Sequence, residues 1–430
     1  MRVLVTGAYG FIGAHIVATL VAAGHEVVCA VRGARVDSRF PGVTAVACDM
    51  ARDLRSEDWL PRLDRIDAVV NAAGILRENG ASTFVAIHEQ APLALFLACQ
   101  QRGIRRVIQV SALGDPADGE FVASKHRGDA ALAALDLDWL VLRPSLVYSA
   151  RGSYGGTSLL RALSALPGAV PLPQGGGQHV QPVAAEDVGA AVAAALERPA
   201  CTRQIIELVG PEVMSLRDYL AAWRRWLGFG RLRVWSVPLG WARLVAALGD
   251  RFGDGPLCRT MMRMLERGNT GAADASTRLR DELGVAPRPL LRALGEAPSQ
   301  VQDRWHARLY FGLPMLRLLM ALLWIASGVV GWTATTDEVS VLTIDGPLSG
   351  HAALVLARLT GGTDLLLGVL CLLRWRLRRV LAAMLVMLAG YTLGIGLLWP
   401  AQWLAPFGGL AKNLPLLAAL ALLLVTEERR

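Results

Sequence analysis

The apolar positions of this chain follow two regimes that change near residue 313. In the first, short apolar runs alternate with segments whose apolar residues recur three and four apart. Residues 2–6, "RVLVT", read as a buried strand and 25–32, "HEVVCAVR", as a second. Further strands are predicted near 43–47, 67–72, 105–111 and 138–143. Helical segments follow the first strand to about Leu20 and lie around 83–102 and 121–135. Strands and helices in alternation predict an α/β fold, a doubly wound parallel sheet. From about 151 to 310 the pattern loosens into a glycine- and proline-punctuated segment. It includes a helix opened by Glu186 and Asp187, whose carboxylates suit a helix start. "QIIELVG" (204–210) is predicted to join the sheet edge. Residues 235–249 are apolar, short and flanked by tryptophans, with Arg243 among them. A helix lying against lipid fits them, and a core helix fits equally well.

The second regime holds four apolar stretches, about 314–332, 351–373, 380–399 and 408–425. Each reaches or approaches the roughly twenty residues that cross about 30 Å of hydrocarbon. An all-α four-helix transmembrane bundle over 306–430 is therefore expected behind a domain of 1–305. Charge orients it. Arg304 and Arg308 precede the first span, Arg374, Arg376, Arg378 and Arg379 fill the second connection, and Arg429 and Arg430 end the chain. The 333–350 connection has Asp337, Glu338 and Asp345 but no basic residue, and the third connection offers only Lys412. The positive-inside rule then places both termini in the cytoplasm, at a bacterial-type inner membrane. Trp305, Trp332, Trp399 and Trp403 fall near span ends as interface anchors. Within the second span, Arg358 and Asp364 lie about 120° apart around the helix. Each needs a partner on another span, and Arg317 is one option for Asp364.

Composition sharpens this picture. The apolar fraction of 53% is high for a soluble protein, and most of the excess lies after residue 313. The net charge of +8 comes from dispersed arginines without interleaved aromatics, which argues against a nucleic-acid partner. Lys125 and Lys412 are the only lysines. The six cysteines and seven histidines form no metal-ligand spacing, so no metal site is expected, and buried reduced thiols are the plain reading. The first residues are strand-like rather than a leader, which puts the first domain in the cytoplasm.

The chemistry begins at Gly7, Gly10 and Gly13, between the first strand and its helix. Such glycines supply a tight turn, close approach to a pyrophosphate and close helix packing, while the helix start offers free N–H groups. Thr6, Gly7, Gly10, Phe11, Ile12 and Gly13 are the candidate phosphate-binding residues. At the end of the second strand an acid would hold the ribose of NAD; this chain has Arg32, with Arg35 nearby. Arginine there favours NADP(H) over NAD(H), a solvated surface arginine being the alternative. In "GEFVASKH" (119–126), one turn of helix puts Phe121 and Lys125 on one face.

"TGAYGFIG", Asp49-Met50, Asn71-Ala72-Ala73-Gly74, Ser111, Lys125 and "LRPSLVY" (142–148) resemble the extended or atypical short-chain dehydrogenases over roughly the first 210 residues. "VSALG" and "GGGQHVQPVAAEDV" are similar to the branch containing the Rossmann accessory subunit of respiratory complex I. The resemblance implies that Asp49 and Met50 sit against adenine and that Asn71, Ala72, Ala73 and Gly74 line the cofactor cleft. It brings the Pro144 to Val147 backbone to the nicotinamide. Ser111 and Lys125 are the catalytic candidates, the first orienting a substrate oxygen, the second binding the nicotinamide ribose. The family's proton donor is a tyrosine where this chain has Phe121, and such a donor is worth roughly 10²–10⁴-fold. Either another source acts (His126, Tyr148, Tyr154, water, or a quinone-like acceptor that relaxes the need), or the domain binds cofactor without turnover, as a sensor or assembly factor.

From Leu313 to Arg430 the chain resembles the DoxX-like membrane family, through "PMLRLLMALLWIASGVVGW" and "YTLGIGLLWPAQWLAPFGGLAKNLPLLAALALLLVTEER". Some relatives in that family are linked to quinone reduction. The two resemblances together imply a membrane-bound oxidoreductase with a small-molecule, lipid-soluble or quinone-like substrate. A respiratory-chain link and contact with membrane lipid are expected with it.

Overall fold

The computed structural model describes residues 1–33, 39–198, 200–252, 255–342, 350–404 and 406–427. Arg35, Asp345, Arg429 and Arg430 lie outside the described residues. The chain divides into two compact units, Met1–Arg308 and Leu309–Arg430.

The first unit is built on seven parallel strands, β1 (Arg2–Thr6), β2 (Glu26–Val31), β3 (Thr44–Ala47), β4 (Ala68–Asn71), β5 (Arg106–Val110), β6 (Asp138–Pro144) and β7 (Gln204–Leu208). Their order across the sheet is β7-β6-β5-β4-β1-β2-β3, so β7 takes an edge. Alternation sends successive side chains to opposite faces. Val3 and Val5 join the core beneath α1 (Phe11–Ala22), whereas Leu4 joins Trp59, Leu95 and Phe96 on the other face, beneath α2 (Ala91–Arg102). The helix expected over 83–102 is one element with two windings, because Val85–Gln90 forms a π-helical segment ahead of α2. Helices α3 (Glu120–Ala133) and α4 (Ala185–Glu197) complete the two layers.

β1 and β4 are neighbours, and the order of strands reverses between them. Their following connections leave toward opposite faces, which opens a crevice at the carboxyl end of the sheet. That crevice is where the glycine turn and the segment Asn71 to Gly74 meet.

Past β6 a second small core forms around Tyr148, Leu172, Tyr219, Trp223 and Leu290. The segment 235–249 is not a core helix. Trp235 ends up on a strand, Arg233–Val237, and α5 (Leu239–Phe252) leaves Trp241, Leu244, Val245 and Leu248 exposed. It turns into α6 (Arg259–Arg267).

Among the described residues of the second unit, four helices are long and apolar enough to cross a membrane: α7 (Val301–Thr333), α8 (Gly350–Leu372), α9 (Leu377–Leu398) and the stretch Gly409–Thr426, whose α-helical part is α10 (Asn413–Thr426). Helix α7 begins within the first unit. Small residues bring α7 and α8 into close contact, for a Cβ on Gly328 would lie 2.5 Å from Leu365 N and one on Gly361 2.7 Å from Trp332 N. Asp364 is buried and accepts hydrogen bonds from Ser327 Oγ (3.2 Å) and Tyr391 Oη (3.3 Å). These two hydroxyls come from α7 and α9. A carboxyl can be satisfied in an apolar bundle by hydroxyl donors that cost less to desolvate than a guanidinium. Arg358 is exposed and pairs with no described residue.

Candidate functional site

Gly7 has φ +65°, and a Cβ there would meet Ala72 O at 2.7 Å. The Gly10 N–H donates to Gly7 O (2.8 Å) and closes the turn. A Cβ on Gly13 would lie 2.1 Å from Gly7 O, so glycine alone lets α1 pack onto the turn that precedes it. No side chain caps α1 at Gly10, which leaves the N–H groups of its first turn for an anion. Phe11 and Ile12 occupy that turn, both partly buried. This is a cradle for a pyrophosphate.

Thr6 and Asn71 stand at the ends of β1 and β4, and both side chains are turned inward. Thr6 Oγ1 donates to Asn71 Oδ1, and Asn71 Nδ2 donates to Gln109 Oε1 (2.7 Å), all three residues being fully buried. They tie three strand ends together beneath the crevice, and what they offer a ligand is backbone. Ala72 is partly buried, Ala73 is buried and Gly74 is exposed. Met50 is buried in the core, while Asp49 caps its own turn by accepting from Ala51 N (3.1 Å). Arg32 is exposed at the end of β2 and pairs with no described residue. Arg39, which the sequence reading passed over, donates its N–H to Tyr9 Oη (3.0 Å) and lays its guanidinium 4.9 Å from the Tyr9 ring centre. It brings a second cation to the glycine turn.

On α3, Lys125 is buried and donates from Nζ to Ala73 O (2.8 Å) and Val110 O (3.2 Å). Two of its three ammonium hydrogens are thus used on the ends of β4 and β5. Burial lowers its pKa to about 8, against the opposing charge of Asp129. Pro144 O, at the end of β6, accepts from Leu113 N (3.0 Å), and Val147 begins a short strand pair with Val183.

Ser111 is buried after β5. Its hydroxyl donates to Asp129 Oδ2 (2.8 Å), which also accepts from Arg143 Nε (3.0 Å) and Nη2 (2.9 Å). Residues 121, 125 and 129 form one stripe of α3, and that spacing was the available signal for Asp129. Phe121 closes the stripe with its ring edge-on to Phe84 (6.4 Å between centres) and to His88 (5.8 Å).

His88 carried no signal of its own in the sequence. It is fully buried on the π-helical segment, and burial beside Lys125 lowers its pKa to about 2. Ile75 N donates to its Nε2 (3.1 Å), which leaves the hydrogen on Nδ1, 2.8 Å from Ser124 Oγ. Ser124 in turn donates to Phe121 O (3.2 Å). This neutral relay holds α3 to the segment leaving β4 and has no proton to give. The other named donors differ in their surroundings. His126 Nε2 faces Ala112 O at 3.1 Å, Tyr148 is fully buried with its pKa raised by desolvation, and Tyr154 is 58% exposed.

The parallel sheet, the glycine turn at the switch point and the lysine on α3 define a dinucleotide-binding domain of the short-chain dehydrogenase class. The NAD dependent epimerase/dehydratase family matches residues 3–208 and the DoxX-like family residues 321–421. The chain is 33% identical over 225 residues to the 3-diazoavenalumate denitrifying reductase of a Streptomyces species, covering 45% of this chain and 72% of that protein. It belongs, through its first unit, to the NAD dependent epimerase/dehydratase family, and carries a DoxX-like domain behind it. It is also 30% identical over 264 residues to the mitochondrial NADH dehydrogenase (ubiquinone) 1 alpha subcomplex subunit 9 of Arabidopsis thaliana. That match covers 57% of this chain and spans 62% of the length of the plant protein. The crystal structure of gox2253 superposes with a TM-score of 0.56 at 21% identity, over 71% of this chain and 99% of that one. Such a likeness concerns the fold.

Proposed function

We propose that this protein is a membrane-bound, NADP(H)-dependent oxidoreductase that reduces a lipid-soluble, quinone-like acceptor on the cytoplasmic side of a bacterial-type inner membrane. One observation supports the reading: the glycine turn and the buried Lys125 are accompanied by the ring of Phe121 beside a neutral, hydrogen-bonded His88. The bound cofactor would supply hydride. A carbonyl that receives hydride becomes a strongly basic alkoxide and needs an acid at hand. A quinone becomes a delocalised phenolate, which takes its second proton from water. Phe121, Phe84 and the hydrocarbon around them offer a flat ring an apolar wall.

In this reading the first turn of α1 holds the pyrophosphate, and Arg32 with Arg39 favours the additional phosphate of NADP(H) over NAD(H). Lys125 turns its remaining hydrogen to the nicotinamide ribose, while the Pro144 to Val147 backbone flanks the nicotinamide. Ser111 acts through Asp129 and Arg143 as a positioning residue. The resemblance to a complex I subunit supports a respiratory-chain link.

A second reading has its own observation. His88 and His126 are committed to protein partners, Tyr148 is buried and Tyr154 faces solvent, which suits an NADP(H)-binding sensor or assembly factor. Stopped-flow oxidation of NADPH by the purified protein, with short-chain quinones and with aldehydes, separates the two. The first reading expects turnover with quinones and little with aldehydes. Tight NADPH binding with no turnover on any acceptor would replace it by the second.

A further inference from the structure

An apolar stripe runs along the outside of α5. Trp241, Leu244, Val245 and Leu248 recur at helical spacing and are 63%, 49%, 47% and 49% exposed, and Trp235 just before the helix is 66% exposed. Ala246 is the only fully buried residue among the described side chains of this helix. A patch of this kind on a folded surface marks an interaction site. The segment is also basic, with seven arginines and three acids over residues 231–267.

Its inner side reaches the candidate site. Arg77, three residues past Gly74, donates to Gly249 O (2.8 Å) and Leu257 O (2.7 Å) and pairs with Asp250 (3.5 Å). On α6, Thr260 packs so close to Gly119 that a Cβ there would lie 2.6 Å from Thr260 Oγ1, and Met261 closes on Gly156 in the same way at 3.1 Å. Arg267 pairs with Asp118 (2.9 Å), in the turn ahead of Phe121. One hairpin therefore contacts the turn two and three residues ahead of Phe121 and presents the apolar stripe outward.

We infer that the α5–α6 hairpin is a doorway immersed in lipid. Trp235, Trp241, Leu244, Val245 and Leu248 lie among the upper acyl chains, the surrounding arginines meet anionic headgroups, and a bilayer-soluble substrate passes along the hairpin toward Phe121. The occupant of the stripe is lipid for two reasons. The same chain carries four spans that keep it at a bilayer, and its excess positive charge is complementary to anionic headgroups. The doorway role rests on the reductase reading; the lipid contact does not.

The test uses the full chain, one copy per nanodisc of phosphatidylcholine and phosphatidylglycerol, spin-labelled at Leu244→Cys or Leu248→Cys. Val213→Cys, at an exposed position in the same unit, is the water-facing reference. Labels at 244 and 248 should collide more with oxygen than with a water-soluble nickel chelate, the reverse of 213. Water-like collisions overturn the proposal, and so does exclusion of both probes, which would mean a protein covers the stripe. No turnover is read, so this result stands whatever becomes of the reductase reading. For the doorway, Leu244→Glu combined with Leu248→Glu should slow reduction of a long-chain quinone at least tenfold and leave a short-chain quinone unaffected. Equal loss on both, or loss on neither, overturns it.

Discussion

In our reading, Phe121 separates cofactor binding from proton transfer. The aromatic keeps the shape of the family's tyrosine, and its face on α3 could be read from its spacing to Lys125. What the ring touches could not: Phe84 and His88 come from the segment after β4 and are distant in sequence. Ser111 illustrates the reverse case. Its position after β5 was legible, but its hydroxyl goes to Asp129 because a buried carboxylate needs donors more than an open crevice does. Phe121→Tyr should create carbonyl reduction, by up to roughly 10²–10⁴-fold over the parent. NADPH consumption with aldehydes measures it. No change would mean that position 121 does not occupy the acid position.

At the scale of elements, strands and helices followed from periodicity nearly to the residue, since a strand buried on both faces is a continuous apolar run. The π-helical segment Val85–Gln90 escaped because one extra residue per turn leaves the apolar pattern almost unaltered. Its consequence is the buried, neutral His88. A histidine whose folded pKa is lowered to about 2 from 6.5 contributes stability that is complete above pH 6.5 and is lost as pH falls toward the folded value. The slope is up to about 1.4 kcal/mol per pH unit. Thermal unfolding of the purified protein should therefore shift to lower temperature between pH 6.5 and 5 more steeply than in His88→Gln. Parallel curves would show that His88 does not titrate on unfolding.

At the scale of the molecule, a nucleotide-binding unit is followed by four described helices long enough to span a membrane, the first being Val301–Thr333. Charge asymmetry orients these spans in our reading, with the acidic 333–350 connection outside. Glu338→Cys should then be labelled by a membrane-impermeant maleimide in intact cells. Labelling only after permeabilisation would reverse the topology. The intramembrane Asp364 shows how little a span reveals by itself. Its place midway along an apolar stretch could be read from sequence, whereas its partners are hydroxyls from two other helices.

Sequence alone determined what depends on neighbours along the chain: the strand–glycine–helix turn, the order of strands and helices, the spans, and the missing phenol. Periodicity and spacing encode these because backbone geometry repeats over a few residues. Tertiary structure decided which polar groups spend their hydrogen bonds on the protein and which remain for a ligand. It also decided that 239–252 lies on the surface and not in a core. Both outcomes turn on which distant segments meet, and the physics of burial acts on those meetings, not on sequence order.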